Sequence, residues 1–189
     1  MANTRREADS LGEWELPAEV LYGVHTARAA ANFPITGTTV SDYPEVIQSL
    51  GMVKKAAALA NMELGALDPR IGQAIVRGCD RVIAGEADSA FIVDMVQGGA
   101  GTSTNMNANE VVANLALREL QRQPGHYELI NPNDHVNLSQ STNDAYPTAV
   151  RLTMVRMCPA LVEELKALKA SFLAKGIAFH DIIKVGTRN

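Results

Sequence analysis

The chain has 189 residues, 47% hydrophobic and 20% charged, enough for one buried core and a piece of a second. A net charge of −4 excludes the basic stripe of a nucleic-acid surface, and no run of about 18 apolar residues is present to cross a membrane as a helix. Met1 to Glu15 is polar and lacks an apolar segment, so no secretory signal is expected. Cys79 and Cys158 both fall in helical stretches and are expected to be buried reduced thiols, which fits a cytoplasmic protein.

Residues 1–42 read as irregular, punctuated by Pro17, Gly23, Pro34 and Gly37. Asp42 is the expected cap of a first helix, with Pro44 and Glu45 in its opening turn, Ile47, Leu50, Val53, Ala57 and Ala60 at helical spacing, and Gly65 ending it. A second helix follows Asp68-Pro69, carries Ile71, Ile75, Cys79, Val82 and Ile83, and stops near Gly85. After the apolar stretch from Phe91 and a small-residue loop, a third helix is predicted over 107–121, facing Val111, Leu115 and Leu120 inward. Residues 122–142 read as loop.

The longest periodic stretch is 147–183, where Val150, Met154, Met157, Leu161, Leu165, Leu168 and Phe172 step by threes and fours like the seam of a bundle. Pro159 inside it removes a backbone donor and should kink the helix. Strand-like alternation is scarce. The expected fold is therefore mainly α.

Two polar small-residue clusters each precede a helix: Gln97 to Asn107 and Asn131 to Asp144. Glycines allow close backbone approach, and hydroxyls and amides near a helix N-terminus supply neutral donors suited to a small carboxylate or phosphate. The same residue types favour helix caps, so capping and binding both stand as readings. Gly101 is followed by Thr102-Ser103 with no lysine, which argues against a nucleotide-phosphate loop. His25, His126, His135 and His180 show no metal-ligand spacing, so no metal is expected. Arg28 reads as a salt-bridge residue, His135 as structural, and Lys54-Lys55 as part of a solvated helix face.

At the clusters the sequence resembles the aspartase/fumarase superfamily. Gly98 to Glu110 and Asn131 to Thr148 are similar to two of its signature segments, and Leu16-Pro17, Tyr22 to Thr26, Arg28 and Asn32-Phe33 to its opening segment. Gly98-Gly-Ala-Gly-Thr-Ser, Asp134-His135 and Ser141-Thr-Asn-Asp match the aspartate ammonia-lyase branch, with class II fumarase as the alternative and a non-catalytic fragment that docks on full-length subunits as a third reading.

The resemblance implies a helical N-terminal lyase domain over 1–142 and, over 143–189, the first long helix of a truncated central bundle. It implies elimination of ammonia from L-aspartate to give fumarate, without a cofactor, in a homotetramer. Residues matching Thr102, Ser141 and Thr142 would contact the substrate β-carboxylate, and the one matching Asn143 would hold the amino group. The serine base and the α-carboxylate lysine of the family belong to a downstream loop that these 189 residues do not contain, so the chain alone is expected to be inactive. Gly186-Thr187-Arg188-Asn189 changes the order of the family's Gly-Arg-Thr signature, so Thr187 is given no binding role.

Overall fold

An antiparallel hairpin, where an irregular segment was expected, begins the chain. The computed structural model describes residues 3–186, so Thr187, Arg188 and Asn189 of the terminal signature lie outside the described residues. Strand β1 (Thr4–Asp9) pairs with β2 (Gly12–Pro17) in a register running from Thr4 opposite Pro17 to Asp9 opposite Gly12. Glu7 and Leu16 are its buried side chains, so the apolar alternation that marks a strand is nearly absent from the sequence. The hairpin is fastened instead by polar contacts. Arg5 donates to the carbonyls of Ala18, Val20 and Tyr22 and pairs with Glu7 at 2.8 Å.

Helix α1 (Val24–Asn32) also falls in the segment read as irregular. It lacks a side-chain cap of its own, and two carboxylates from distant elements replace one. Glu110 accepts from the amides of Gly23 (2.8 Å), His25 (3.0 Å) and Thr26 (3.1 Å), and from the Thr26 hydroxyl at 2.6 Å. Glu7 accepts from the Val24 amide at 2.8 Å. Negative charge at a helix N-terminus satisfies otherwise unpaired N–H groups and opposes the macrodipole favourably. A Cβ at Gly23 would meet Glu110 Oε1 and Glu7 Oε2 at 2.7 Å, which is why the turn between them is glycine.

Helices α2 (Pro44–Glu63) and α3 (Pro69–Ile83) lie close to the expected bounds. Asp68 caps α3, accepting from the Arg70 and Ile71 amides. Asp42, expected to cap α2, instead closes a short turn at Val40–Asp42 with Thr39, and Tyr43 sits at the α2 N-cap. Helix α4 (Thr102–Glu119) starts five residues earlier than predicted, because Thr102 to Met106 already carry helical backbone despite their loop-like composition. Val111, Val112, Leu115 and Leu117 of α4 pack with Ile47, Leu50, Ile75, Cys79 and Val82 of the preceding helices into the core.

Helix α5 (Thr142–Ala178) begins before the predicted Pro147, ends before Ile183, and continues through Pro159. Residues 3–153 form one compact unit, in which α5 contributes Ala145, Ala149 and Thr153 to the interior. Residues 154–186 form a second unit and are exposed throughout, including the seam residues Met154, Met157, Leu161, Leu165, Leu168 and Phe172. Cys79 is a buried free thiol as expected, whereas Cys158 on the exposed part of α5 is not buried. Among the described residues no helix is long and apolar enough to cross a membrane. The architecture of the described residues is mainly α, with α1, α2 and α3 packed on α4.

Candidate functional site

The first cluster is anchored before it reaches its glycines. Asp94 accepts from the Thr36, Gly37 and Val96 amides at 2.6, 2.9 and 2.8 Å and from the Thr36 hydroxyl at 2.9 Å. Desolvation pushes its carboxyl up, but those hydrogen bonds outweigh it and hold the pKa down at about 2. The chain then passes through left-handed backbone at Gly99, Ala100 and Gly101 (φ 71°, 55° and 86°) and enters α4 at Thr102. Gly101 is required twice over: its φ disfavours a side chain, and a Cβ would lie 2.5 Å from the Tyr146 ring. Thr102 is exposed, and its hydroxyl donates to Gly99 O at 2.6 Å.

The second cluster folds as a π-helical turn at Pro132–Val136, capped by the Asn131 side chain. His135 Nδ1 accepts from the Asn131 amide at 2.8 Å, the structural role expected of it. Ser141 precedes α5 in a reciprocal cap. Its Oγ accepts from the Asn143 amide at 3.2 Å, and its own amide donates to Asp144 Oδ2 at 3.1 Å. Thr142 is half-buried, and its Oγ1 accepts from Asn105 Nδ2 at 3.2 Å.

These contacts bring the N-termini of α4 and α5 side by side. Gly101 lies against Tyr146, and Asn105, one turn into α4, reaches Thr142. Beside them is a cavity of about 440 Å³ lined by Met95, Gln97, Ala100, Gly101, Asn143 and Tyr146, together with Pro147. Of the four expected binding residues, Asn143 lines this cavity and Thr142 is tied to Asn105 of α4. Thr102 and Ser141 stand exposed at the same two helix N-termini. Two helix N-termini presenting hydroxyls and amides can hold an anion, and the lining contains no cationic side chain.

The largest departure from expectation is Lys54. It is fully buried on α2, whereas Lys55 is at the surface, paired with Asp80 at 2.6 Å. Lys54 Nζ donates to Asn105 Oδ1 (2.7 Å), Asn137 Oδ1 (2.9 Å) and Gln140 Oε1 (2.9 Å). Desolvation drives its pKa down from 10.5 to about 7, against the attraction of Cys79 and Asp144. A signal was present in the sequence. Ile47, Leu50, Lys54 and Ala58 share one helical stripe, which places one lysine of the doublet inside and the other outside. Asn105, Asn137 and Gln140 lie within the clusters but were not singled out, because nothing in their spacing announces a buried cation. Arg28 forms the kind of ion pair expected, with Asp9 at 2.8 Å, and lies 5.0 Å over the Trp14 ring.

A family model described as a lyase matches residues 12–188. The chain belongs to that lyase family. Relatives of the chain include an aspartate ammonia-lyase from Bacillus sp., 52% identical over 97% of the chain, and one from Escherichia coli, 48% identical over 97%. The chain spans 39% of the length of each of these curated relatives. Among solved structures, a fumarate lyase:delta crystallin from Brucella melitensis matches with a TM-score of 0.92 and 49% identity, over 98% of this chain and 43% of that one. A class II fumarase from Schistosoma mansoni matches with a TM-score of 0.73 and 38% identity, over 80% of this chain and 32% of that one.

Proposed function

We propose that the protein is an aspartate ammonia-lyase and that residues 3–153 supply the β-carboxylate side of its active site. The observation that carries this reading is the pairing of the α4 and α5 N-termini beside the cavity, with Asn143 in its lining and Thr142 tied across to α4. Removing the proton beside a carboxylate leaves an enediolate with two negative charges on that group. Donors already in place lower the barrier to it more than donors that must reorganise during the reaction.

In this reading Thr102, Ser141 and Thr142 donate to the β-carboxylate, with the Thr102 hydroxyl turning from Gly99 O toward the substrate, and Asn143 holds the amino group. The helix N-termini add partial positive charge on the same side. The base and the α-carboxylate cation come from the family's downstream loop. The preference for aspartate over malate rests on the aspartase-type letters in both clusters and on relatives near 50% identity that carry that name. The same reading makes the exposed part of α5 the opening helix of a central bundle, its seam covered in a cytoplasmic homotetramer.

The test is an ultraviolet assay of fumarate formation by the protein in its whole encoded length, with L-aspartate and L-malate compared as substrates. Fumarate release from aspartate alone is expected. Turnover of malate with none of aspartate would replace this reading with a fumarase. The 189-residue chain by itself is expected to give no turnover, and robust activity from it would overturn the assignment of the base to another segment.

A further inference from the structure

The buried lysine and the half-buried threonine are joined by one side chain, and the chemistry of the joint dictates its direction. An ammonium group donates three hydrogens and accepts none, so every amide that faces Lys54 must turn its oxygen toward it. Asn105 therefore has Oδ1 on Lys54 Nζ at 2.7 Å, and its Nδ2 is forced to the opposite side. There Nδ2 uses both hydrogens, one on Asn137 Oδ1 at 3.1 Å and one on Thr142 Oγ1 at 3.2 Å. The remaining two amides are committed in the same sense. Asn137 Nδ2 donates to Gln140 O at 3.0 Å, and Gln140 Nε2 to Val136 O at 2.8 Å.

A threonine hydroxyl that accepts from Asn105 keeps its own hydrogen free to donate elsewhere. Were the Asn105 amide reversed, its oxygen would claim that hydrogen, and Thr142 would present only lone pairs to an incoming anion. We propose that Lys54 is a positioning residue that, through Asn105, orients the Thr142 hydroxyl as a donor toward the substrate carboxylate. This rests on the carboxylate-site reading above for its purpose, but the relay itself is a property of the folded chain.

The groups facing Lys54 explain why the relay is sensitive to its protonation. Asn105 comes from α4 and Asn137 and Gln140 from the loop before α5, all neutral. Cys79 on α3 is a thiol that burial raises to about 12, and Asp144 at the start of α5 is the charged neighbour. A neutral amine has two hydrogens and a lone pair, so on losing its proton Lys54 releases one of the three oxygens and frees an amide to turn.

The experiment is nuclear magnetic resonance on the 189-residue chain, labelled at the threonine methyls, the asparagine side-chain amides and the lysine Nζ. On raising the pH, the Asn105 amide and Thr142 methyl signals are expected to move with the same midpoint as Lys54 Nζ. Asn114, another α4 amide bonded to Leu21 O and Tyr127, should stay still. In Lys54→Met, which keeps the length and removes the donors, the Asn105 side-chain hydrogens should exchange about tenfold faster, the factor that one ordinary hydrogen bond represents. Lys54→Arg, which restores donors without acceptors, should recover part of that protection.

Asn105 and Thr142 signals indifferent both to the Lys54 titration and to Lys54→Met, in a variant of unchanged helix content, would overturn the relay. If Lys54→Met fails to fold, the titration of the unmodified chain decides alone. Fumarate added at fixed pH separates the two readings. A coupled relay with no fumarate effect at Thr142 counts against the carboxylate site and leaves the relay standing.

Discussion

The first unit buries Glu110 on α4 and Lys54 on the neighbouring α2, and it treats the two groups in opposite ways. Glu110 is met by the start of a helix: three backbone amides and a hydroxyl converge on it, with the His25 ring at 3.1 Å. Lys54 is met by three side-chain amide oxygens from α4 and from the loop before α5. Backbone donors at a helix N-terminus cannot turn away, so the Glu110 hub is rigid and holds α1 and the hairpin in place. Side-chain amides can rotate, so the Lys54 hub is adjustable, and it lies next to the candidate site. The difference separates a charge that organises the fold from one that organises chemistry.

The largest effect expected is at the rigid hub. Glu110→Ala leaves the buried amides of Gly23 and Thr26 without an acceptor, and urea unfolding should show a loss of roughly 2–6 kcal/mol, at about 1–3 kcal/mol for each buried donor left unsatisfied. A loss no greater than that of a surface substitution would break the comparison at its stronger end.

Lys54→Met should cost less, about 1–3 kcal/mol near neutral pH, because the three side-chain amides it abandons can rotate and pair again, as the backbone amides around Glu110 cannot. Its signature is a pH slope. The folded pKa of about 7 lies below the ordinary 10.5, so between them the unfolded chain binds more protons and stability rises with pH. Cys79, raised to about 12 from 9.0, opposes this above about 9, so the clean window is from about 7 to about 9. The slope should be present in the unmodified chain and absent in Lys54→Met when denaturant midpoints are compared across it.

A smaller loss sharpens the Glu110 side. Thr26→Val removes a hydroxyl 2.6 Å from the carboxylate at nearly constant volume and should cost about 1.5–2 kcal/mol by thermal unfolding, the lower end for hydrogen bonds to charged acceptors because three backbone amides still hold the carboxylate. The smallest effect belongs to His25, nearly half exposed. Its hydrogen bond to Glu110 raises its pKa above 6.5, so the stability it adds is present below 6.5 and fades as pH rises through the folded value. His25→Gln should flatten that shallow dependence, and an unchanged profile would show the ring contributes nothing to the hub.

Much of this arrangement was legible in the residues themselves. Asp68-Pro69, Gly65 and Gly85 marked helix ends, because caps and breakers act locally and need no partner. The two signature clusters pointed to helix N-termini for the same reason, and Ser141 turned out to be a cap as well as a candidate ligand. The hairpin was not legible, since Arg5 and Glu7 hold it through carbonyls and a phenol far along the chain. Nor was the α4 start, where Asn105 in the polar first turns is held by Lys54, Asn137 and Thr142, all distant in sequence.

The sequence by itself determined where α2 and α3 lie, which stretches are apolar, and which family-like segments the chain carries. These depend on periodicity and short-range hydrogen bonding. Only the tertiary structure decided which amides surround the buried Lys54, and that Glu110 caps a helix 84 residues before it at Thr26. It also decided that Thr142 accepts, rather than donates, on its inner side. A buried charge is tolerable only when distant groups bring complementary dipoles to it, and that complement exists only once the chain has folded.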